Sequence, residues 1–182
     1  KAVIDSTHDL VCAYKINSAF YEGEAQTWEA MHNTFLYLQR TYPEIPTILD
    51  AKRADIGNTN QGYVKMAFEN LKADAITVHP YLGKEALGPF LAHADKGIIV
   101  LVRTSNPGSG EFQELRIDNK PLWQIVAERS KKINENSNEA TTFTDAISVD
   151  NFIYFLASAE DTISTYEDGE VLGSIIGKMN AE

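Results

Sequence analysis

Residues 46–71 read PTILDAKRADIGNTNQGYVKMAFENL, and this stretch decides the fold. Pro46 to Lys52 is a short apolar run of strand formers. From Asn60 to Leu71, the residues Tyr63, Val64, Ala67, Phe68 and Leu71 recur at the spacing of one helix face. The same strand-then-helix pattern lies on both sides. Residues 10–16 (LVCAYKI) predict a strand, and Trp28, Met31, Phe35 and Leu38 predict a helix within Thr27 to Tyr42. Ala73 to Pro80 predicts a strand ahead of a helix over Lys84 to Ala94. Gly97 to Arg103 predicts a strand ahead of a long loop and a helix from about Pro121 to Lys132, where Pro121 suits a first helical position. Near-continuous apolar strands alternating with helices imply parallel strands covered by helices. The class is therefore α/β with about four β/α units legible, either a doubly wound sheet or part of a (β/α)8 barrel.

After Lys132 the pattern changes. Residues 134–138 (NENSN) read as a polar linker, and Phe152, Phe155, Leu156, Ala159, Ile163 and Tyr166 then recur at helical spacing. Val171, Leu172, Ile175, Ile176 and Met179 predict a further helix beginning near Asp168. Two parts are expected, a β/α unit over residues 1–132 and an acidic helical tail over 133–182. The 16 Lys and Arg against 26 Asp and Glu give a net charge of −10, which argues against a nucleic-acid partner. No run reaches the roughly 18 consecutive apolar residues of a membrane helix. One cysteine, Cys12, fits a reducing compartment, so a cytoplasmic protein without a membrane partner is expected. Cys12 lies within the first apolar run and is expected to be a buried small hydrophobe. Lys1 to His8 resembles neither a signal peptide nor an initiating methionine, so the chain is expected to begin inside a longer reading frame.

In either α/β architecture the site forms at the strand C-termini and the loops after them. Lys15, residues 50–59, His79 and residues 103–110 should therefore converge. Asp50 and Lys52 are two apart on a strand and share a face, and Asp55 follows in the loop, giving D-x-K-x-x-D. Charges at an inward-facing strand end are costly unless partnered, and Lys15 is placed to complete an alternating Lys–Asp–Lys–Asp array. Taken alone, the motif also reads as a structural salt-bridge cluster at a barrel rim. His79 reads as a hydrogen-bonding support and Arg103 as structural. Gly108 to Gly110 reads as a loop rather than a phosphate cradle, and no cluster has metal-ligand spacing.

The string Leu49 to Thr59 resembles the signature of orotidine 5′-monophosphate decarboxylases. Ala13 to Glu22, His79 to Gly83 and Arg103 to Gly108 resemble the bacterial branch of that family, in the family's order, within residues 1–132. The resemblance implies a partial (β/α)8 TIM barrel that converts orotidine 5′-monophosphate to UMP with no cofactor and no metal. It implies that Lys52 protonates C6 of the pyrimidine, that Asp50 lies against the substrate carboxylate, and that Lys15 holds Asp50 and contacts the ribose. Asp55, Ile56 and Thr59 match positions that reach across a homodimer interface into the partner's site, and Ser105 matches a residue that binds the pyrimidine amide. D-x-K-x-x-D also occurs in metal-dependent sugar-phosphate (3-keto-gulonate 6-phosphate-like) decarboxylases, which remain the alternative enzyme reading. The family's first strand and its phosphate-gripping loops find no counterpart here. The remaining alternative is accordingly a non-catalytic decarboxylase fragment, and the chain by itself is expected to be a poor catalyst.

Overall fold

The computed structural model describes residues 1–135, 142–149 and 152–158. The chain opens with one helical turn, α1 (Ala2–Asp5), followed by β1 (Tyr14–Asn17), α2 (Ala25–Thr41), β2 (Thr47–Arg53) and α3 (Gly57–Val64). A wider π-helical stretch, Lys65–Asn70, continues α3 and leads to β3 (Ala75–Val78), α4 (Lys84–Leu91) and β4 (Gly97–Arg103). Then come the short α5 (Gly110–Gln113), a small hairpin of β5 (Arg116–Ile117) and β6 (Lys120–Pro121), α6 (Leu122–Glu135), β7 (Thr142–Val149) and β8 (Phe152–Ser158).

Strands β1 to β4 are parallel and lie in sequential order, β1-β2-β3-β4. A doubly wound sheet reverses its strand order at a switch point, whereas a barrel adds each strand on the same side. The sequential order therefore selects the barrel. One face of the sheet meets the helices. Met31, Phe35 and Leu38 of α2, Val64 of α3, and Leu87 and Phe90 of α4 close over Leu49, Ile76, Val78, Ile98 and Val100. Each such side chain, fully buried, contributes about 1.5–3 kcal/mol. Along β4 the burial alternates, with Ile98, Val100 and Val102 buried and Ile99, Leu101 and Arg103 only partly so, which marks the opposite, barrel-interior face.

The N-terminal turn is tied down by tyrosines. The Asp5 carboxylate accepts hydrogen bonds from the hydroxyls of Tyr37 and Tyr42, and the Tyr14 hydroxyl donates to the Ile4 carbonyl at 3.1 Å. Burial, reinforced by the Asp5 carboxylate, pushes the Tyr42 hydroxyl up to about 12.

Three expectations are corrected. The first strand begins at Tyr14 rather than Leu10, so Cys12 lies ahead of it and is exposed, not buried. The helix expected on Phe152 to Tyr166 is, as far as the described residues reach, a strand over Phe152–Ser158, antiparallel to β4, with β7 antiparallel to it; Ala159, Ile163 and Tyr166 lie outside the described residues. FIYFLAS is a continuous apolar run too short for periodicity to distinguish a strand from a helix, and pairing with the otherwise open edge of β4 settles it. The Gly108 to Gly110 loop leads directly into a helical turn, α5, where no helix was expected. The predicted helix near Asp168 lies outside the described residues. No helix among the described residues is long and apolar enough to cross a membrane.

Candidate active site

At the C-terminal end of β2 the ladder to β3 slips. Leu49 pairs with Ile76 and Arg53 with Val78, so Asp50, Ala51 and Lys52 occupy a stretch that β3 spans with Thr77 alone. Bulges of this kind re-aim side chains and gather beside active sites. Lys52 takes a left-handed backbone with φ 47°, a conformation costing on the order of 1–3 kcal/mol in a residue other than glycine. Its backbone N–H donates to Thr77 Oγ1 at 3.0 Å.

Asp50 sits at the centre, 4% exposed. Its Oδ1 accepts from Lys52 Nζ at 2.6 Å and from the Thr77 hydroxyl at 2.8 Å, and its Oδ2 lies 3.5 Å from Lys15 Nζ, carried by β1. The two lysine side chains are 37% (Lys52) and 46% (Lys15) exposed, so the array opens toward solvent on the lysine side. Burial pushes the Asp50 carboxyl up, but the hydrogen bonds from Lys52 and Thr77 and the charges of both lysines outweigh it and hold the group below the usual carboxylate range. The arrangement is a buried, ionised carboxylate gripping an ammonium that remains accessible from outside, which can present a proton and a positive charge to a bound molecule.

Asp55 stands apart from this group. Its carboxylate accepts the N–H of Ile56 at 2.7 Å, and among the described residues no salt bridge reaches it, so the expected fourfold alternation closes here as Lys15–Asp50–Lys52. The loop is held from beneath by Asn60, whose Oδ1 accepts the Asp55 N–H at 2.7 Å and whose Nδ2 donates to the carbonyls of Asp55 and, at 2.7 Å, Ala86. Ile56 and Thr59 lie exposed at the start of α3, where Gly57 supplies the left-handed turn with φ 50°. His79 Nε2 lies 3.0 Å from the Ala54 carbonyl, a hydrogen-bonding support of the same loop. Arg53 pairs with Glu22 across the ends of β1 and β2. Ser105 is exposed in the loop after β4, where Thr104 is held by Gln113. Arg103 pairs with Glu114 at 2.8 Å and lies over the Trp123 ring, a structural role. A cleft of about 910 Å³ beside Tyr81, Lys84, Trp123 and Arg129 is lined by none of Lys15, Asp50 and Lys52.

Sequence reasoning missed Thr77 and Asn60. A signal for the first existed: Thr77 is the one hydroxyl in an apolar strand and has the same parity as His79, which directs it to the site face. Asn60 carries no comparable sequence signal, because its burial depends on the approach of α4.

Sequential parallel β/α units with a lysine–carboxylate–lysine group at the strand C-termini define a barrel-type α/β protein with its site at the usual end. A family model described as the orotidine 5′-phosphate decarboxylase / HUMPS family matches residues 1–162, and the chain belongs to that family. The match runs beyond Lys132 and takes in β7 and β8. The orotidine 5′-phosphate decarboxylase of Ralstonia pickettii is 45% identical over 139 residues, covering 76% of this chain and 51% of that protein. That of Cellvibrio japonicus is 51% identical over 127 residues, covering 70% of this chain and 46% of its own. Among solved structures, the Leishmania donovani OMP decarboxylase superposes with a TM-score of 0.69 at 41% identity, covering 75% of this chain and 54% of that one. The chain spans about half the length of the curated relatives it matches.

Proposed function

We propose that this chain carries the catalytic core of an orotidine 5′-monophosphate decarboxylase, a carbon–carbon lyase forming UMP without a cofactor. The observation that carries the reading is the 2.6 Å contact between Lys52 Nζ and the buried Asp50 carboxylate at the bulged end of β2. In the proposed reaction the bond between C6 and the substrate carboxylate breaks, CO2 leaves, and the electron pair stays on C6. Lys52 gives its proton to that carbon and regains one from solvent. An ammonium fixed beside the reacting carbon favours the developing carbanion over the neutral ring it came from. Asp50 holds Lys52 in place and meets the substrate carboxylate as a like charge relieved by its departure. Lys15, the second partner of Asp50, is assigned to the ribose hydroxyls and Ser105 to the pyrimidine amide.

The exposed positions of Ile56 and Thr59 and the separation of Asp55 from the array support their assignment to the partner's site in a homodimer. The chemistry is assigned to residues 1–132, and the protein is placed in the cytoplasm without a nucleic-acid partner. The names of the relatives favour this reading over the sugar-phosphate one. The test is to incubate a polypeptide containing residues 1–182 with orotidine 5′-monophosphate in deuterated water. CO2 release and UMP bearing deuterium at C6 are expected. A folded polypeptide that contains residues 1–182 together with the family's phosphate-gripping loops and yields no UMP at saturating substrate would overturn the proposal.

A further inference from the structure

Thr77 is 1% exposed, and a buried hydroxyl is costly unless its hydrogen-bonding capacity is used. Here both sides are used. The hydroxyl donates to Asp50 Oδ1 at 2.8 Å, and its oxygen accepts the backbone N–H of Lys52 at 3.0 Å. These contacts fall on the first and last residues of the bulge that Thr77 alone opposes. One hydroxyl thus closes the slipped ladder and joins the backbone of the proposed proton donor to the carboxylate that grips its ammonium. The neighbouring β3 residues, Ala75, Ile76 and Val78, are apolar and buried, so shape alone would be met equally well by valine.

We propose that Thr77 is a positioning residue for the decarboxylation, holding Lys52 in its left-handed backbone conformation and Asp50 toward its ammonium without touching the substrate. The proposal rests on the reading of the array as a decarboxylation site and deepens it. Charged groups face Asp50 from two elements, Lys15 on β1 and Lys52 on β2, while β3 supplies Thr77, so the hydroxyl is the neutral member of the set.

The test compares Thr77→Val and Thr77→Ser in a polypeptide containing residues 1–182. In Thr77→Val, kcat should fall about tenfold to a hundredfold, the size expected of a lost hydrogen bond to a charged group. KM should stay within about twofold, since no contact with substrate is removed. Hydrogen exchange at the Lys52 backbone amide should quicken about tenfold, because its acceptor is gone. Thr77→Ser should restore both readouts. If the valine variant does not fold, Thr77→Ala against Thr77→Ser isolates the hydroxyl, since both lack the methyl group. Absence of turnover by a parent that also carries the family's phosphate-gripping loops overturns the functional reading alone, and the amide exchange then still decides whether Thr77 holds Lys52. Unchanged kcat together with unchanged Lys52 amide protection in the variants lacking the hydroxyl would overturn the proposal.

Discussion

Asn60 is fully buried beneath the loop that carries Asp55, and it makes three hydrogen bonds there: from the Asp55 N–H, to the Asp55 carbonyl and to the Ala86 carbonyl of α4. Replacing it with alanine leaves one N–H and two carbonyls to find other partners. A stranded buried donor costs about 1–3 kcal/mol, and carbonyls, with two lone pairs each, cost less. Asp55 itself is half-buried, so water recovers part of the loss, and a net destabilisation of about 2–3 kcal/mol is expected. Against the roughly 5–15 kcal/mol of a typical domain that is a large fraction. Asn60→Asp keeps the acceptor but removes the donor, and it buries a second carboxylate beside Asp55, so it should cost at least as much. Equilibrium urea unfolding followed through Trp28 and Trp123 measures both, with the slope checked for a change in surface exposed. A shift in unfolding free energy of less than about 0.5 kcal/mol, the range of ordinary surface substitutions, would show that Asn60 does not hold the loop.

Other outcomes follow from the array. The depressed Asp50 pKa means that its contribution to stability is present in full above the unfolded carboxylate value, about 3.9, and is lost as pH falls through the lower folded value. Asp50→Asn should therefore flatten the acid side of the thermal stability curve, and a curve of unchanged steepness would contradict the ion-pair account. Mixing Lys52→Ala subunits with Asp55→Ala subunits should restore part of the activity through one intact shared site per mixed dimer; confirmed mixed dimers without recovery would remove Asp55 from the partner's site. A chelator should leave orotidylate turnover unchanged, and loss reversed by magnesium would point to the metal-dependent sugar-phosphate relatives.

Where apolar periodicity was long and clean, the sequence was legible. The strand over Gly97 to Arg103 has the predicted bounds, and Met31, Phe35 and Leu38 are the buried stripe of α2, with Trp28 half-exposed at its edge. The shared face of Asp50 and Lys52, and the reach of Lys15 to it, also followed from strand parity. The bulge did not, because a register slip arises between two strands and neither strand records it alone. Thr77 could be placed on the site face by its parity, but its role could not be read for the same reason: its importance lies in what it opposes. Phe152 to Ser158 misled because its large residues happen to fall at helical spacing, while the unpaired edge of β4 that recruits it is a property of the assembled sheet. Cys12 was misplaced by a strand boundary a few residues out, the least determined feature of any apolar run.

The central claim is that Lys52, gripped by Asp50, delivers the proton to C6. The most direct measurement is the rate of UMP formation at saturating orotidine 5′-monophosphate by a polypeptide containing residues 1–182 and by its Lys52→Ala variant, each confirmed folded. Removal of the ammonium takes away proton donor and transition-state charge together, so the variant should fall below the parent by at least about a thousandfold. A variant that forms UMP within about tenfold of the parent, the scale of a single neutral hydrogen bond, would contradict the claim and assign the chemistry to another group.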